Sequence, residues 1–256
     1  MSLKDRLQAY KYNEDGNIDF KPEKVAKPKA LKSKKAQSKE LTTALLDLPP
    51  SIAPGITVVF VGFNPGVESS KQQHHYAHFT NLFWKLFNAS DLLRKVLTRR
   101  DIYIEDHGLL KELYGNDAKI CTAAARHDND LLEYGIGFTD LVLRCTKTAQ
   151  ELSKAEKIAN VPRLMLEFNE SKAPFVVFIG KGIWEIVVQF LIPGYKLTKA
   201  NFAWGKQEAS TTLIQAFHKR CPEKPSVYVF PNTSGLVALM KFPEKLALWN
   251  ALVDEI

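Results

Sequence analysis

The chain has 256 residues, of which 45% are hydrophobic and 25% charged, and a formal net charge of +7. This length suits one large domain, or a domain with a tail, that buries about 70% of the surface its unfolded chain exposes. No apolar run approaches the ~20 residues that cross a bilayer, and the start of the chain has no secretory stretch, so we expect no membrane association. Three widely spaced cysteines without a C-x-x-C pair favour a reduced intracellular compartment and argue against structural zinc.

Positive charge is concentrated near the N-terminus. Residues 21–40 contain eight lysines and two glutamates, whereas residues 41–256 carry a net charge of only +2. Low hydrophobicity and mutually repelling lysines predict a basic, disordered tail over 1–44. We expect this tail to bind DNA phosphates without sequence preference, and Lys32–Lys35 also suit a nuclear-import signal; a solvated tail without a specific role is the alternative.

A single globular domain is expected over 45–256, with strands alternating with helices. The predicted elements, in chain order, are a helix at 41–48, a strand at 57–62, a helix at 79–97 with Thr80 as N-cap, a strand at 136–143, a helix at 151–169, a strand at 175–180, a helix at 183–191, a strand at 226–230 and a helix at 243–256. Residues 98–131 are charged and weakly periodic, which predicts a partly helical surface insertion. The alternation predicts an α/β fold, a three-layer sandwich whose central, mostly parallel sheet is flanked by helices.

The first strand and the turn after it form the most informative segment. Val58–Val61 are a continuous apolar run typical of a strand buried on both faces, and Gly62, Pro65 and Gly66 mark a tight turn directly after it. Ligands of open α/β sheets bind outside the carboxyl ends of the strands. Asn64 in this turn is therefore a candidate functional residue, because an amide both accepts and donates hydrogen bonds and can orient a water molecule. Capping of the turn is the alternative.

Four motifs follow one another along residues 56–256. They are GFNPG at 62–66 with HHY at 74–76 and NLFW at 81–84, then YGIGFTD at 134–140, FIGKG at 178–182, and VFPNTSGL at 229–236. In this order they resemble the motifs of mismatch-specific uracil/thymine-DNA glycosylases. The resemblance implies the uracil-DNA glycosylase-like fold and a monofunctional enzyme of base-excision repair. Such an enzyme hydrolyses the N-glycosidic bond of uracil mispaired with guanine in double-stranded DNA.

The resemblance leaves the range of bases open, since thymine and ethenocytosine are further candidates. A uracil-only glycosylase without mismatch preference and a non-catalytic binder of mismatched or abasic DNA are the alternative functions. The turn contains no lysine that would form a Schiff base, so strand cleavage is not expected, and no cofactor is implied. We expect a monomer that acts in the nucleus.

Roles for residues of the first motif also follow from the resemblance. Asn64 corresponds to the asparagine that positions the water attacking the sugar C1′, where an oxocarbenium-like sugar needs little nucleophilic push. Tyr76 is expected to stack on the extruded base, which contributes roughly 1–3 kcal/mol. His75 is expected to contact a water or phosphate near the pocket, or to donate to a base carbonyl. Gly62 and Phe63 complete the expected substrate-binding residues of this motif.

Two substrate-binding candidates come from the second motif and the residues after it. Asp140 stands where thymine-processing members of the family carry Asn and contact the base. A carboxylate accepts from the N3–H of uracil or thymine but repels their O4. Capping of the next turn by Asp140 is the alternative. Thr146 matches a family threonine near the base.

His74, His75 and His78 are close enough in sequence to suggest a metal site. No H-E-x-x-H pattern and no further spaced Cys or carboxylate accompany them. We therefore expect no metal.

The last motif is expected to contact DNA. Asn232, Ser234, Gly235 and Leu236 resemble a loop that penetrates the duplex, with Leu236 as an apolar wedge that fills the space left by the flipped nucleotide. The alternative is the N-terminus of a short helix capped by Asn232 or Ser234. Lys181, in a Gly-Lys-Gly sequence that lacks the spacing of a nucleotide-binding loop, is expected to contact a DNA phosphate.

Overall fold

The computed structural model of the protein describes residues 45–115, 120–235 and 240–256. The predicted tail over 1–44 and the predicted wedge Leu236 lie outside the described residues. No helix in these three ranges is both long enough and apolar enough to span a bilayer.

A five-stranded sheet forms the centre of the fold. Its strands are β1 (Val58–Gly62), β2 (Ile136–Asp140), β3 (Phe175–Ile179), β4 (Gly205–Lys206) and β5 (Ser226–Phe230), in the spatial order β2-β1-β3-β5-β4. The four longer strands run parallel, and the short β4 pairs antiparallel with β5. β1, β2 and β3 are buried along their whole length, as expected for strands covered by helices on both faces. The predicted α/β fold with a mostly parallel sheet is confirmed.

Helices cover both faces of this sheet. They are α1 (Val67–Gln72), α2 (Phe83–Ala89), α3 (Leu92–Arg99), α4 (Gly108–Tyr114), α5 (Lys154–Ser171), α6 (Lys181–Leu191), α7 (Thr212–His218) and α8 (Phe242–Glu255). Val58 and Phe60 of β1 pack with α2, α3, α4 and α8, whereas Val59 and Val61 pack with α5, α6 and α7. Because side chains of a strand alternate between faces, β1 contributes to both cores and holds the three layers together.

The predicted elements differ from the structure at several boundaries. The helix expected over 79–97 begins only at Phe83, where Asn81 Oδ1 accepts the Phe83 N–H at 2.9 Å, and it is interrupted at Asp91, whose φ is 53°. The helix expected over 41–48 is absent from residues 45–48, because the Leu48 N–H donates to Leu143 O at 3.2 Å instead. The second strand ends at Asp140 rather than at residue 143, and α1, α7 and β4 were not predicted.

The segment over 98–131 is partly helical, as predicted, but it is not confined to the surface. Leu110 and Leu113 of α4 are almost completely buried in the core, and so is the carboxylate of Asp128. Only a few apolar residues face inward along so short a helix, so the sequence shows little periodicity there.

Candidate active site

A pocket of about 660 Å³ lies at the carboxyl ends of the parallel strands. The predicted site residues that line it are Gly62, Phe63, Asn64, Tyr76, Asp140, Asn232, Ser234 and Gly235. They meet because parallel strands place the turns that follow them at one edge of the sheet. The chain after β2 also runs beside the first turn, since Leu141 N–H donates to Gly62 O at 2.8 Å and Thr146 N–H to Pro65 O at 3.3 Å.

The amide of Asn64 is held in one orientation. Its Nδ2 donates to Thr146 Oγ1 at 2.7 Å, to Arg144 O at 3.2 Å and to Pro65 O at 3.3 Å. Two of these partners are carbonyl oxygens, which only accept, so the amide nitrogen must face them. No described residue donates to Oδ1. This oxygen is therefore available to accept a hydrogen bond from a water in the pocket.

Thr146 lies behind Asn64 rather than in the pocket wall. It is 2% exposed, and its hydroxyl donates to Thr148 O at 2.9 Å while it accepts from Asn64. Both hydrogen-bonding roles of the hydroxyl are thus fixed. The geometry suits a residue that orients Asn64 better than the base contact expected from the sequence.

Tyr76 is held flat against the core. Its backbone adopts a φ of 55°, in the left-handed region, and its ring stacks on Phe83 with centroids 3.9 Å apart and planes 2° apart. One face of the ring is covered by Phe83, and the residue also lines the pocket. The hydroxyl is buried without a partner among the described residues, and burial raises the pKa of Tyr76 well above 10. Tyr76 therefore provides a rigid neutral ring and an unused hydroxyl group at the pocket wall.

Asp140 provides a buried carboxyl group with free hydrogen-bonding capacity. It is 5% exposed, and no described residue donates to its carboxylate oxygens. Burial raises the pKa of Asp140 from 3.8 to about 6, against the opposing effects of His75 and Arg163. The carboxylate accepts no backbone N–H of the following turn, so the capping alternative is not observed.

Gly62 allows this carboxyl to approach the first turn. Gly62 pairs with Asp140 across β1 and β2, and a Cβ atom at Gly62 would lie 2.0 Å from Asp140 Oδ1 and 3.3 Å from the Tyr76 hydroxyl. Any side chain at position 62 would therefore displace the Asp140 carboxyl from its place at the pocket wall and crowd the Tyr76 hydroxyl.

His75 lies behind the pocket wall. The ring is 2% exposed and stacks on Phe138, its Nδ1 is 2.8 Å from Asp128 Oδ2, and its Nε2 is buried without a partner among the described residues. The direct contact with a water, phosphate or base expected from the sequence is not available to this buried ring. Asp128 was missed because it lies in the 98–131 segment, outside every motif.

The loop after β5 also lines the pocket, through residues 232–235. Asn232 Oδ1 accepts the Ser234 N–H at 2.7 Å, and Asn232 O accepts from Nζ of the buried Lys245 at 2.7 Å. Residues 231–235 form no helix, and the alternative of a short helix capped by Asn232 or Ser234 would extend into residues 236–239, outside the described residues, so both interpretations stay predictions. A Cβ atom at Gly235 would lie 2.7 Å from Thr80 Oγ1, which shows how closely this loop packs against the chain before α2.

Lys181 does not line the pocket. It begins α6 directly after β3, pairs with Glu185 at 3.3 Å, and lies 5.0 Å from the centre of the Phe202 ring. Its predicted phosphate contact and the predicted wedge at Leu236 stay predictions.

Several pocket residues were not identified from the sequence. They include His78, Thr80, Asn81 and Lys147. Lys147 directly follows Thr146, so its sequence position was a usable signal. Thr80 and Asn81 fall within the predicted helix over 79–97, and His78 was considered only as a metal ligand. The described ranges contain no group of three or more His, Cys, Asp or Glu side chains that could hold a metal ion.

Comparison with known proteins identifies the family of the chain. The family model for the Uracil DNA glycosylase superfamily matches residues 49–253. The G/U mismatch-specific uracil DNA glycosylase of Schizosaccharomyces pombe (strain 972 / ATCC 24843) is 30% identical over 245 residues, which cover 93% of this chain and 63% of that protein. The chain therefore spans less than two thirds of the length of that relative. The resemblance seen in the motifs is confirmed, and the chain belongs to the uracil DNA glycosylase superfamily.

Proposed function

We propose that the protein is a monofunctional DNA glycosylase that hydrolyses the N-glycosidic bond of uracil mispaired with guanine in double-stranded DNA. The fixed amide of Asn64 carries this proposal, because three protein acceptors hold Nδ2 and leave Oδ1 to bind a water. The family match and the G/U-specific relative support the same activity.

The pocket suits a base that has left the helical stack. A base inside a duplex does not expose its glycosidic bond, so the nucleotide must be extruded before it can react. A volume of about 660 Å³ lies in the range typical of small-molecule sites. In this proposal the ring of Tyr76, backed by Phe83, stacks on the extruded base. The Asp140 carboxyl group accepts a hydrogen bond from the N3–H of that base.

The chemistry follows a dissociative course. The C1′–N1 bond breaks, its electron pair leaves with the base, and the sugar acquires oxocarbenium character. The water held by Asn64 Oδ1 then bonds to C1′ and gives its proton to the departing base anion, which leaves an abasic site. Asn64 is not a base strong enough to take this proton, so its contribution is to position the water.

We propose uracil as the principal substrate base. The base-release assay that tests uracil also tests thymine and ethenocytosine. Asp140 stands where thymine-processing members of the family carry Asn. Its carboxyl group donates a hydrogen bond only when it is protonated, so the base edge that it recognises depends on its protonation. We further propose that the enzyme acts in the nucleus, since Lys32–Lys35 have the composition of an import signal. We also propose that it acts as a monomer, since the residues that line the pocket all belong to one chain.

The proposal is tested by Asn64→Ala. Loss of a positioned reactant costs on the order of 10²-fold in rate, so single-turnover uracil release from a G·U duplex should fall by about 10²-fold while duplex binding changes little. Asn201→Ala, which removes an exposed amide that does not line the pocket, is the matched control. Release by Asn64→Ala within a few-fold of wild type would refute the assignment of Asn64.

A further inference from the structure

A buried carboxylate links the 98–131 segment to the pocket wall. Asp128 is 0% exposed and accepts four hydrogen bonds: from His74 Nδ1 at 2.7 Å, His75 Nδ1 at 2.8 Å, the His75 N–H at 2.7 Å and the Asn129 N–H at 2.7 Å. Burial raises the pKa of Asp128, but the hydrogen bonds from His75 and His74 outweigh it and leave the pKa below its ordinary value. The group is thus an anion that is fully hydrogen-bonded.

These hydrogen bonds determine where the protons of the two imidazoles lie. An ionised carboxylate has no proton to donate, so each Nδ1 that contacts Asp128 must be the donor. In a neutral His75 the proton is therefore on Nδ1, and Nε2 is a bare lone pair. That Nε2 is the atom left buried without a partner.

The backbone of His75 is fixed as firmly as its ring. Its N–H donates to Asp128, and its carbonyl accepts from Trp84 Nε1 at 3.2 Å. The next residue is Tyr76, whose positive φ of 55° is unusual for a residue other than glycine. Such a conformation persists only where the surrounding contacts determine it, and the buried contacts on His75 do so.

We propose that Asp128 is a positioning residue of the active site, which fixes the ring and backbone of His75 and thereby sets the place of the Tyr76 ring at the pocket wall. The proposal rests on the proposed function only where it concerns the rate of base release. Its structural part concerns the tautomer of His75 and the stack of Tyr76 on Phe83, and both can be measured without any substrate.

Two substitutions separate the roles of the carboxylate. Asp128 Oδ2 accepts both contacts from His75, whereas Oδ1 accepts from His74 Nδ1 and the Asn129 N–H. Asp128→Asn replaces one of these oxygens by an NH₂ group, so one of the two imidazoles loses its acceptor, and the proton of that neutral ring should move from Nδ1 to Nε2. Asp128→Ala removes both contacts and should release the ring and the turn. Asp130→Asn is the matched control, because it neutralises an exposed carboxylate two residues away.

The experiment combines nitrogen NMR of the histidine side chains at mildly alkaline pH, the aromatic proton signals of Tyr76, and single-turnover uracil release. We expect the Nδ1–H form of His74 and His75 in the wild type and in Asp130→Asn, and the Nε2–H form of one of the two in Asp128→Asn. Release should fall roughly tenfold in Asp128→Asn and about 10²-fold in Asp128→Ala, since displaced contact groups cost rates of this order. The ring signals of Tyr76, shifted by its stack on Phe83, should move in Asp128→Ala.

The outcomes that overturn the proposal are distinct from failure of the proposed function. An Nε2–H form of His75 in the wild type would refute it, and so would His74 and His75 tautomers and a release rate in Asp128→Asn equal to those of the control. If the wild type releases no base, the proposed function fails, and the His75 and Tyr76 signals still decide the role of Asp128. Should Asp128→Ala fail to fold, the isosteric Asp128→Asn decides the matter.

Discussion

Replacement of Asp140 by Asn tests the link between burial, charge and substrate recognition. Burial raises the pKa of this carboxyl from 3.8 to about 6. Each pKa unit corresponds to about 1.36 kcal/mol, so ionising Asp140 in the folded protein costs about 3 kcal/mol more than in the unfolded chain. Because the pKa of Asp140 is higher in the folded than in the unfolded protein, the favourable contribution of its protonated form to the free energy of unfolding is complete below about pH 4. It is lost as the pH rises through about 6.

The stability assay compares wild type and Asp140→Asn by urea unfolding between pH 4.5 and 7.5. An amide does not ionise, so the stability of the variant relative to wild type should increase by about 2 kcal/mol across this interval. Asp254→Asn, which neutralises an exposed carboxylate on α8, shows the effect of removing a charge elsewhere. A relative stability of Asp140→Asn that stays constant with pH would show that the buried carboxyl does not resist ionisation.

The same substitution has a predicted effect on base release. A protonated carboxyl can accept from the N3–H of uracil and donate to its O4, whereas the ionised form repels O4. Wild-type release should therefore decline as the pH rises above about 6. Asp140→Asn has the donor and acceptor of the protonated acid and should keep its rate. Identical pH profiles for the two proteins would refute this account of base recognition.

Two further predictions concern the contacts around the first turn. Thr146→Val should slow single-turnover release about fivefold without weakening duplex binding, because it removes a hydrogen bond that contributes about 1 kcal/mol to the orientation of Asn64. Thr146→Ser should retain the rate, and an equal loss in both variants would contradict this role. Gly62→Ala should lower the free energy of unfolding by about 1–3 kcal/mol and abolish release, because its Cβ would clash with Asp140. The Cβ of Gly66→Ala meets no atom within 4 Å, so this variant should keep the free energy of unfolding of the wild type. Equal stability of the two alanine variants would contradict the predicted clash.

The parts of the fold with local signals could be predicted from the sequence. The run Val58–Val61 has no polar alternation, so it indicated a strand buried on both faces, and the turn residues after it indicated the edge where the site lies. The break at Asp91 could not be predicted, because apolar residues of the right helical spacing continue on both sides of it. It follows from a left-handed residue between two short helices that pack on the same core.

The parts of the site that depend on contacts between distant segments could not be predicted. Asp128 has no distinctive neighbours in the chain, and its role arises only when the fold brings it against His75. Lys245 looks like one more helix lysine, yet it is buried and binds the carbonyl of Asn232. The sequence predicted a base contact for Thr146, and only the hydrogen bond to Asn64, formed across the fold, shows that it lies behind the pocket wall.

Single-turnover base release tests the central claim most directly. The substrates are 5′-labelled duplexes that each contain one central G·U, G·T, A·U or ethenocytosine pair, and alkali treatment converts each abasic site into a strand break. The account predicts release from G·U far above A·U, dependent on Asn64 and without strand breaks before alkali. Equal release from G·U and A·U would contradict the mismatch preference. No release from any of the four duplexes would contradict the assignment as a glycosylase and leave a protein that binds damaged DNA.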